Sequence, residues 1–278
     1  MGRGCVSYYA FSCIAKAFSQ PKGRGSIETI HGGNTLSDQL DPKNESNSPS
    51  IRALAVDIDG TLSDEDRVLS ASAIRALRLL RSKDVPVVLA TGNTHCFTRT
   101  ACVLLGTPQI FISENGGVIS HSEDQMEILA DLSRCEEAFK RLAAEFPLNK
   151  FSSSRYRFTD IALERNFDVA AAARRLEEMN LPVELIDTKY AVHIKDRRVN
   201  KGTGLLRIAG HLGMDPARFA AIGDSKSDLP MFSQAGYRAS VGNASPELKE
   251  MSDYVAKAGY GEGFAEIIDH MVRENMLW

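Results

Sequence analysis

Two aspartates, Asp57 and Asp59, follow the apolar run 53–56 and precede the turn residue Gly60. A short apolar run that ends in a turn signal predicts a buried β-strand. In parallel α/β sheets, ligands bind at the edge where the strands end. Here the strand is ending, and the turn that follows can bring both carboxylates to one site. The alternative is a strand-capping Asp followed by an ordinary Asp-Gly turn.

Past residue 50, segments of strand length alternate with amphipathic helical patterns. Residues 70–82 predict a helix with Ser70 as its N-cap, and strands are predicted at 85–90 and 109–112. This alternation implies right-handed βαβ crossovers, and it predicts an α/β fold with a doubly wound, mostly parallel sheet. At residues 121–195 a smaller mixture of helices and strands interrupts the alternation, which predicts an inserted α+β unit.

Three further polar segments follow in a fixed order. Thr-Gly-Asn at 91–93 ends a strand, Lys201 opens a helix, and Gly-Asp-Ser-Lys-Ser-Asp at 223–228 follows the apolar run 219–222. With the DxDGT segment at 57–61, this order resembles that of the haloacid dehalogenase-like superfamily. The resemblance covers about residues 51 to 278 and implies a phosphoryl-transfer core of Rossmann-like topology with an inserted cap of the Cof type.

Carboxylates in this arrangement suit phosphoryl transfer assisted by Mg²⁺, a hard cation that prefers oxygen ligands. Asp57, Asp224 and Asp228 are predicted to supply metal-binding carboxylates, and the resemblance adds the backbone carbonyl of Asp59. Asp57 is predicted to be the nucleophile that forms an aspartyl-phosphate, and Asp59 the general acid–base. The alternative for the 223–228 segment is a structural Asp-Ser turn followed by a helix N-cap.

Four other residues are predicted to bind the substrate. Thr91 and the backbone at Gly92 can donate hydrogen bonds to phosphoryl oxygens, and Lys201 can neutralise phosphoryl charge. Asn115 lies in a Ser-Glu-Asn-Gly-Gly loop at 113–117 that resembles the loop of Cof-type phosphatases, where it could touch the substrate or position the cap. Three nearby cations compete for the role of Lys201: Lys195, Arg197 and Arg198.

The likeness continues to Tyr-Gly-Glu-Gly at 260–263 and is strongest to archaeal-type phosphoglycolate phosphatases. It implies hydrolysis of a small phosphate monoester, with 2-phosphoglycolate as the expected substrate. Sugar-phosphate phosphatases of the sucrose-phosphate or mannosyl-phosphoglycerate type and phosphomutases remain alternatives. A phospho-accepting signalling domain of receiver type is the alternative from another class. The candidates to bind the non-phosphate end of the substrate are Arg155, Arg157, Tyr190 and His193.

Composition limits the partners and the compartment. A net charge of −3 gives no indication of nucleic-acid binding, and no apolar run approaches the roughly 20 residues of a membrane helix. The five cysteines include no CxxC pair, which is typical of a reducing compartment and predicts a cytoplasmic location. The sequence does not indicate an oligomeric state.

The predicted organisation has three parts. Residues 1–50 are rich in polar and turn-forming residues after residue 19, and they are predicted to be a disordered or accessory extension. Residues 51–120 and 196–278 are predicted to form the catalytic core, and residues 121–195 the inserted α+β cap.

Overall fold

The computed structural model describes residues 51–188 and 190–277, so the predicted extension at 1–50 lies outside the described residues. The described strands are β1 (Ala53–Val56), β2 (Val87–Ala90), β3 (Phe111–Ser113), β4 (Val118–Ser120), β5 (Met126–Ile128), β6 (Asp160–Leu163), β7 (Val183–Asp187), β8 (Val192–Asp196), β9 (Phe219–Gly223), β10 (Tyr237–Ser240) and β11 (Tyr254–Val255). The described helices are α1 (Ala71–Ser82), α2 (His95–Leu105), α3 (Leu132–Leu142), α4 (Val169–Glu178), α5 (Lys201–Leu212), α6 (Leu229–Phe232), α7 (Pro246–Met251) and α8 (Tyr260–Arg273).

Eight of these strands form one sheet in the order β11-β10-β9-β1-β2-β3-β4-β5. The pairs from β11 to β3 are parallel, and the last two pairs are antiparallel. In the middle, Ala55 pairs with Val88 on one side and with Ala221 on the other. The carboxyl ends of β1, β2 and β9 therefore meet at one edge. This confirms the predicted doubly wound, mostly parallel fold.

Helices cover both faces of this sheet, which explains why β1 is apolar along its whole length. Leu54 and Val56 belong to the core shared with α1 and α8, and Ala53 and Ala55 to the core shared with α5 on the other face. Alternate residues of a strand point to opposite faces, so a doubly covered strand needs an apolar residue at every position. The end of β1 is thus held rigidly from both sides.

The helix boundaries follow local capping chemistry. The Ser70 hydroxyl accepts a hydrogen bond of 3.0 Å from the Ala73 amide and so begins α1, as predicted. Asn200 caps α5 with its side-chain oxygen, while Thr203 reaches back to the Asn200 amide. Within residues 51–188 and 190–277, no helix combines the length and apolarity required to cross a membrane.

A second, antiparallel sheet has the order β6-β8-β7 and carries α3 and α4 over a separate apolar cluster that includes Leu142, Leu163 and Leu176. It corresponds to the small α+β unit of the predicted fold class. The strand Met126–Ile128, however, belongs to the large sheet, where Glu127 pairs with Ile119. The predicted insertion begins at residue 121 and therefore includes a strand of the large sheet. A three-residue edge strand has too little periodicity for the sequence alone to reveal which sheet it joins.

Candidate active site

Asp57 and Asp59 lie on a tight turn that ends β1. The Asp57 amide continues the strand pairing with a 3.0 Å hydrogen bond to Ile222 O, and the Leu62 amide then folds back onto Ile58 O at 2.9 Å. Gly60 has a φ of +89°, and a Cβ there would lie 2.4 Å from Asp224 Oδ2. Glycine alone fits both requirements. The tight turn that it permits brings both aspartates into the same cavity.

The loop after β9 brings in Asp224 and Asp228. Asp228 Oδ2 accepts hydrogen bonds from the amides of Asp224 and Ser225, at 3.1 and 3.0 Å. Its other oxygen, Oδ1, faces Lys201 at 2.6 Å. The structural turn considered for this segment is therefore present, and the same Asp228 carboxylate also binds Lys201 beside Asp57.

Lys201 connects these two loops. It is the first residue of α5, it is 2% exposed, and its Nζ donates 2.6 Å hydrogen bonds to Asp57 Oδ1 and Asp228 Oδ1. Burial opposes its positive charge, but the two carboxylates dominate and raise the pKa of Lys201, so the ammonium stays protonated. The three competing cations bind elsewhere: Lys195 to Glu184, Arg197 to Val183 O and Arg198 to Asp196.

Asp57, Asp224 and Asp228 form a buried cluster in which carboxylate oxygens lie within 4.8 Å of one another. Burial and the neighbouring Asp228 and Asp224 carboxylates raise the pKa of Asp57 well above its usual range, against the effect of Lys201. Three carboxylates and one ammonium leave an excess of negative charge. A donor set of hard oxygens with such an excess fits a divalent cation of the Mg²⁺ type. The Asp59 side chain lies outside this cluster.

The loop after β2 forms another wall of the cavity. Gly92 and Asn93 line it, while Thr91 is fully buried and its Oγ1 accepts hydrogen bonds from the Asn93 amide and from Asn93 Nδ2, at 3.1 and 2.9 Å. Asn115 also lines the cavity, and a Cβ on Gly92 would lie 2.9 Å from its Oδ1. The small residue at position 92 thus allows the Asn115 amide to approach the site.

Glu114, which the sequence analysis did not single out, ties the Asn115 loop to the second sheet. Glu114 and Asn115 both adopt left-handed backbone angles, with φ of 50° and 54°. Glu114 Oε2 accepts three 2.9 Å hydrogen bonds, from the amides of Phe158 and Thr159 and from the Thr159 hydroxyl. Burial and the carboxylate of Asp160 raise the pKa of Glu114 to about 7.

Asp160 is a second residue that the sequence analysis missed. It is fully buried, and it binds Arg157 at 2.7 Å and His193 Nδ1 at 3.0 Å. Burial favours its neutral form, but Arg157 and His193 outweigh this and lower the pKa of Asp160 to about 2. Arg157 and His193 therefore line the cavity with their side chains already bound to Asp160. Arg155 is exposed, lies over the Tyr156 ring and is not among the residues that line the cavity.

Arg67 is the third missed residue, and it contacts Asp59 directly. Its Nε lies 2.9 Å from Asp59 Oδ1, and its Nη2 lies 2.9 Å from Asn93 Oδ1. Asn93 Nδ2 in turn donates to Asp59 Oδ2 at 2.6 Å. These three side chains form a closed ring that fixes both oxygens of Asp59. In the sequence, Arg67 is a lone arginine in a short polar turn. Such a residue cannot be distinguished by pattern from an ordinary surface arginine.

The resulting cavity has a volume of about 440 Å³ and is lined by loops at the edge of the large sheet and by residues of the second sheet. A buried carboxylate, a fixed ammonium, and a second carboxylate held by hydrogen bonds converge on it. Chemically, the set provides an oxygen nucleophile, a positive charge for phosphoryl oxygens and a separate group for proton transfer.

Comparison with known proteins gives a consistent picture. The profile of the haloacid dehalogenase-like hydrolase family matches residues 54–181 and 185–268. The phosphoglycolate phosphatase of Methanothrix thermoacetophila is 55% identical over 227 residues, which are 82% of this chain and 100% of that protein. The phosphoglycolate phosphatase of Methanosarcina acetivorans is 43% identical over 222 residues, which are 80% of this chain and 96% of that protein.

Among solved structures, a crystal structure of a Thermoplasma acidophilum protein superposes with a TM-score of 0.73 at 25% identity. The alignment covers 79% of this chain and 97% of that one. The sucrose-phosphatase of Synechocystis has a TM-score of 0.61 at 22% identity, covering 80% and 97% of the two chains, and this likeness concerns the fold alone.

Proposed function

The chain belongs to the haloacid dehalogenase-like hydrolases and is a phosphoric monoester hydrolase, and from that premise we propose that it hydrolyses a small phosphorylated acid through an aspartyl-phosphate, with Mg²⁺ as cofactor. The observation that carries this proposal is the convergence of Asp57, Lys201, Asp224 and Asp228 in one buried cluster, which borders the cavity through Asp57, Lys201 and Asp224. The likeness to phosphoglycolate phosphatases makes 2-phosphoglycolate the proposed substrate.

In the proposed mechanism, Asp57 attacks phosphorus, and the phosphoryl group moves from the substrate oxygen to the carboxylate. Its position supports this role, because the end of a doubly covered strand cannot move easily and Lys201 holds one carboxylate oxygen at 2.6 Å. The other oxygen, Oδ2, lies 3.3 Å from the Thr61 hydroxyl. A fixed nucleophile avoids the entropic cost of orienting it at each turnover.

Asp59 is the proposed general acid–base. It would give a proton to the leaving alcohol and later take one from the water that cleaves the aspartyl-phosphate. Its hydrogen bonds to Arg67 and Asn93 hold it at the cavity wall, outside the carboxylate cluster. This separation supports two distinct roles for two aspartates of one turn.

Asp57, Asp224, Asp228 and the backbone carbonyl of Asp59 are the proposed metal ligands. When bound, Mg²⁺ would neutralise the phosphoryl charge that otherwise repels an anionic nucleophile. Lys201 contributes positive charge from the protein itself. The Thr91 hydroxyl, the Gly92 backbone and Asn115 are proposed to bind the phosphoryl group and the substrate around it.

The unit with the second sheet is proposed to act as a cap, and because β5 belongs to the large sheet we place its start after residue 130. Two contacts support a closed arrangement. The Tyr190 hydroxyl donates to Glu65 O at 3.3 Å, and Glu114 holds the backbone at Thr159. A cavity of about 440 Å³ between this unit and the large sheet suits a small substrate.

A phosphate-release assay over small phosphorylated acids and sugars tests the proposal. We expect the highest kcat/KM for 2-phosphoglycolate, and activity only when Mg²⁺ is present. Full activity in excess chelator would contradict the metal assignment, and a preference for hexose phosphates would contradict the substrate. A phosphoenzyme that forms but persists without phosphate release would instead indicate a signalling domain of receiver type.

A further inference from the structure

Arg67 brings a positive charge next to Asp59, the residue proposed above to protonate the leaving alcohol. Its guanidinium contacts Asp59 through Nε and Asn93 through Nη2, both at 2.9 Å. Its side chain is 41% exposed, and Nη1 has no hydrogen-bond partner among the described residues. The group thus retains donor capacity towards the cavity that it lines.

The backbone around Arg67 is built to hold that side chain in place. Asp64 Oδ1 accepts hydrogen bonds from the amides of Asp66 and Val68, at 3.0 and 2.9 Å, and the Arg67 amide donates to Asp64 O at 3.1 Å. Arg67 has a φ of 65°, a conformation that residues with a Cβ rarely adopt. Strained backbone of this kind persists where the surrounding structure imposes it, and it is concentrated at functional sites.

Two aromatic rings fix the orientation of the guanidinium. Its Cζ lies 5.7 Å from the centre of the Phe97 ring and 5.4 Å from that of Tyr190. Tyr190 comes from the second sheet's unit, and its hydroxyl also donates to Glu65 O on the Arg67 turn. The guanidinium is therefore held from both sides of the cavity by ring contacts that add no further negative charge to its pairing with Asp59.

The other lysines and arginines that line the described part of the cavity are each held by an acidic partner. Lys201 lies between Asp57 and Asp228 and is 2% exposed. Arg157 binds Asp160 and Gly92 O, and its side chain is 6% exposed. Lys226 faces outward to Glu247, with 70% of its side chain exposed. Arg67 also has an acidic partner, Asp59. Its side chain is nevertheless partly exposed, and its Nη1 has no hydrogen-bond partner among the described residues.

We propose that Arg67 forms the subsite for the carboxylate of the leaving alcohol, and this inference rests on the proposed function. In 2-phosphoglycolate the carboxylate carbon is separated from the leaving oxygen by a single CH₂ group. A leaving oxygen that takes its proton from Asp59 therefore places the substrate carboxylate near Asp59, where two negative charges would repel each other. Arg67 lies beside Asp59 and can bind the substrate carboxylate with its planar array of donors.

The subsite gives selectivity by charge. An anionic leaving group gains a charge-assisted hydrogen bond, while a neutral one of the same length leaves the guanidinium without that partner. The discrimination comes from the core turn at 64–68 and from Tyr190, rather than from the two arginines at 155 and 157 that the sequence suggested.

The test compares 2-phosphoglycolate with 2-hydroxyethyl phosphate, which has a neutral hydroxymethyl group in place of the carboxylate. We expect Arg67→Gln to lower kcat/KM for 2-phosphoglycolate by roughly tenfold to a hundredfold more than for 2-hydroxyethyl phosphate. Arg67→Lys keeps the charge and should lose less of this preference than Arg67→Gln does. Arg155→Gln is the matched control, and it should retain the wild-type ratio between the two substrates. Turnover of 2-hydroxyethyl phosphate by each variant shows that it is folded.

The outcomes separate the inference from the function on which it rests. If the wild-type protein hydrolyses neither ester, the proposed function is wrong. If it hydrolyses both equally well, or if Arg67→Gln loses equally on both, the carboxylate subsite is wrong while the phosphatase mechanism stands. A ratio that collapses in Arg155→Gln but not in Arg67→Gln would likewise overturn the assignment to Arg67.

Discussion

Lys201 donates a 2.6 Å hydrogen bond to Asp57 across a sequence separation of 144 residues. The contact requires the first turn of α5 to dock against the end of β1. Gly202 makes the docking possible, since a Cβ there would lie 2.2 Å from Pro230 O. This ion pair therefore joins the two chain segments, one before and one after the insertion, that build the large sheet.

Replacement of this lysine tests both its structural and its chemical contribution. We expect Lys201→Met to abolish measurable turnover and to lower the free energy of unfolding by about 3–5 kcal/mol, because Asp57 and Asp228 would remain buried without their cation. Urea unfolding at pH 7 and steady-state kinetics measure the two effects. Lys140→Met, at an exposed position of α3, should change stability by less than about 0.5 kcal/mol. Unaltered unfolding of the Lys201 variant would contradict the interpretation.

The two aspartates of the β1 turn should respond differently to the same amide substitution. Asp57→Asn should show no turnover and no phosphoenzyme, because it removes the nucleophile. Asp59→Asn should lower kcat by roughly 10²–10⁴-fold and allow the aspartyl-phosphate to accumulate, because it removes the proton transfer. Intact-mass spectrometry after mixing with substrate detects the added phosphoryl group. Asp66→Asn, on the neighbouring turn and exposed, serves as the control.

Gly60→Ala and Gly210→Ala form a matched pair. At Gly60 the φ is +89° and a Cβ would meet Asp224 Oδ2 at 2.4 Å, so we expect a loss of about 1–2 kcal/mol from backbone strain and a large loss of activity. At Gly210, inside α5, a Cβ would meet nothing within 4 Å, and alanine should stabilise the protein by about 0.5–1 kcal/mol. Thermal unfolding and phosphate release distinguish the two. A Gly60→Ala protein with normal activity would show that the turn tolerates displacement.

Glu114 should make stability depend on pH near neutrality. Its pKa is about 7 in the folded protein and roughly 4.3 in an unfolded chain, so the folded form keeps a proton that the unfolded chain has lost. The free energy of unfolding should then fall as pH rises from about 4.3 to 7, by up to about 1.4 kcal/mol per pH unit from this group. Glu114→Gln keeps an oxygen for the three donors and should flatten this dependence in urea titrations at pH 5 to 8. Asp160 titrates near pH 2, outside this range. If the free energy of unfolding changed with pH in the same way in the wild-type protein and in Glu114→Gln, this role of Glu114 would be excluded.

Local patterns were sufficient to predict the parts of the fold that depend on neighbours along the chain. The apolar runs predicted β1, β2 and β9, the cap at Ser70 began α1 as expected, and alternation along the chain predicted the parallel sheet. The strand Met126–Ile128 was assigned to the insertion but pairs with β4 in the large sheet. Strand pairing is a contact between segments, and three residues carry too little pattern to specify the partner.

By itself the sequence determined which polar residues follow strands, and therefore that Asp57, Asp59, Thr91, Asp224 and Asp228 would gather at one edge of a parallel sheet. Only the tertiary structure decided which long side chains reach that edge. It placed Lys201, rather than the competing Lys195, at Asp57, and it brought in Arg67, Glu114 and Asp160, which the sequence analysis had not singled out. The physical reason is that the edge position follows from backbone direction, which local periodicity encodes. The partner of a long charged side chain instead depends on desolvation and on charges from distant segments, which exist only once the chain has folded.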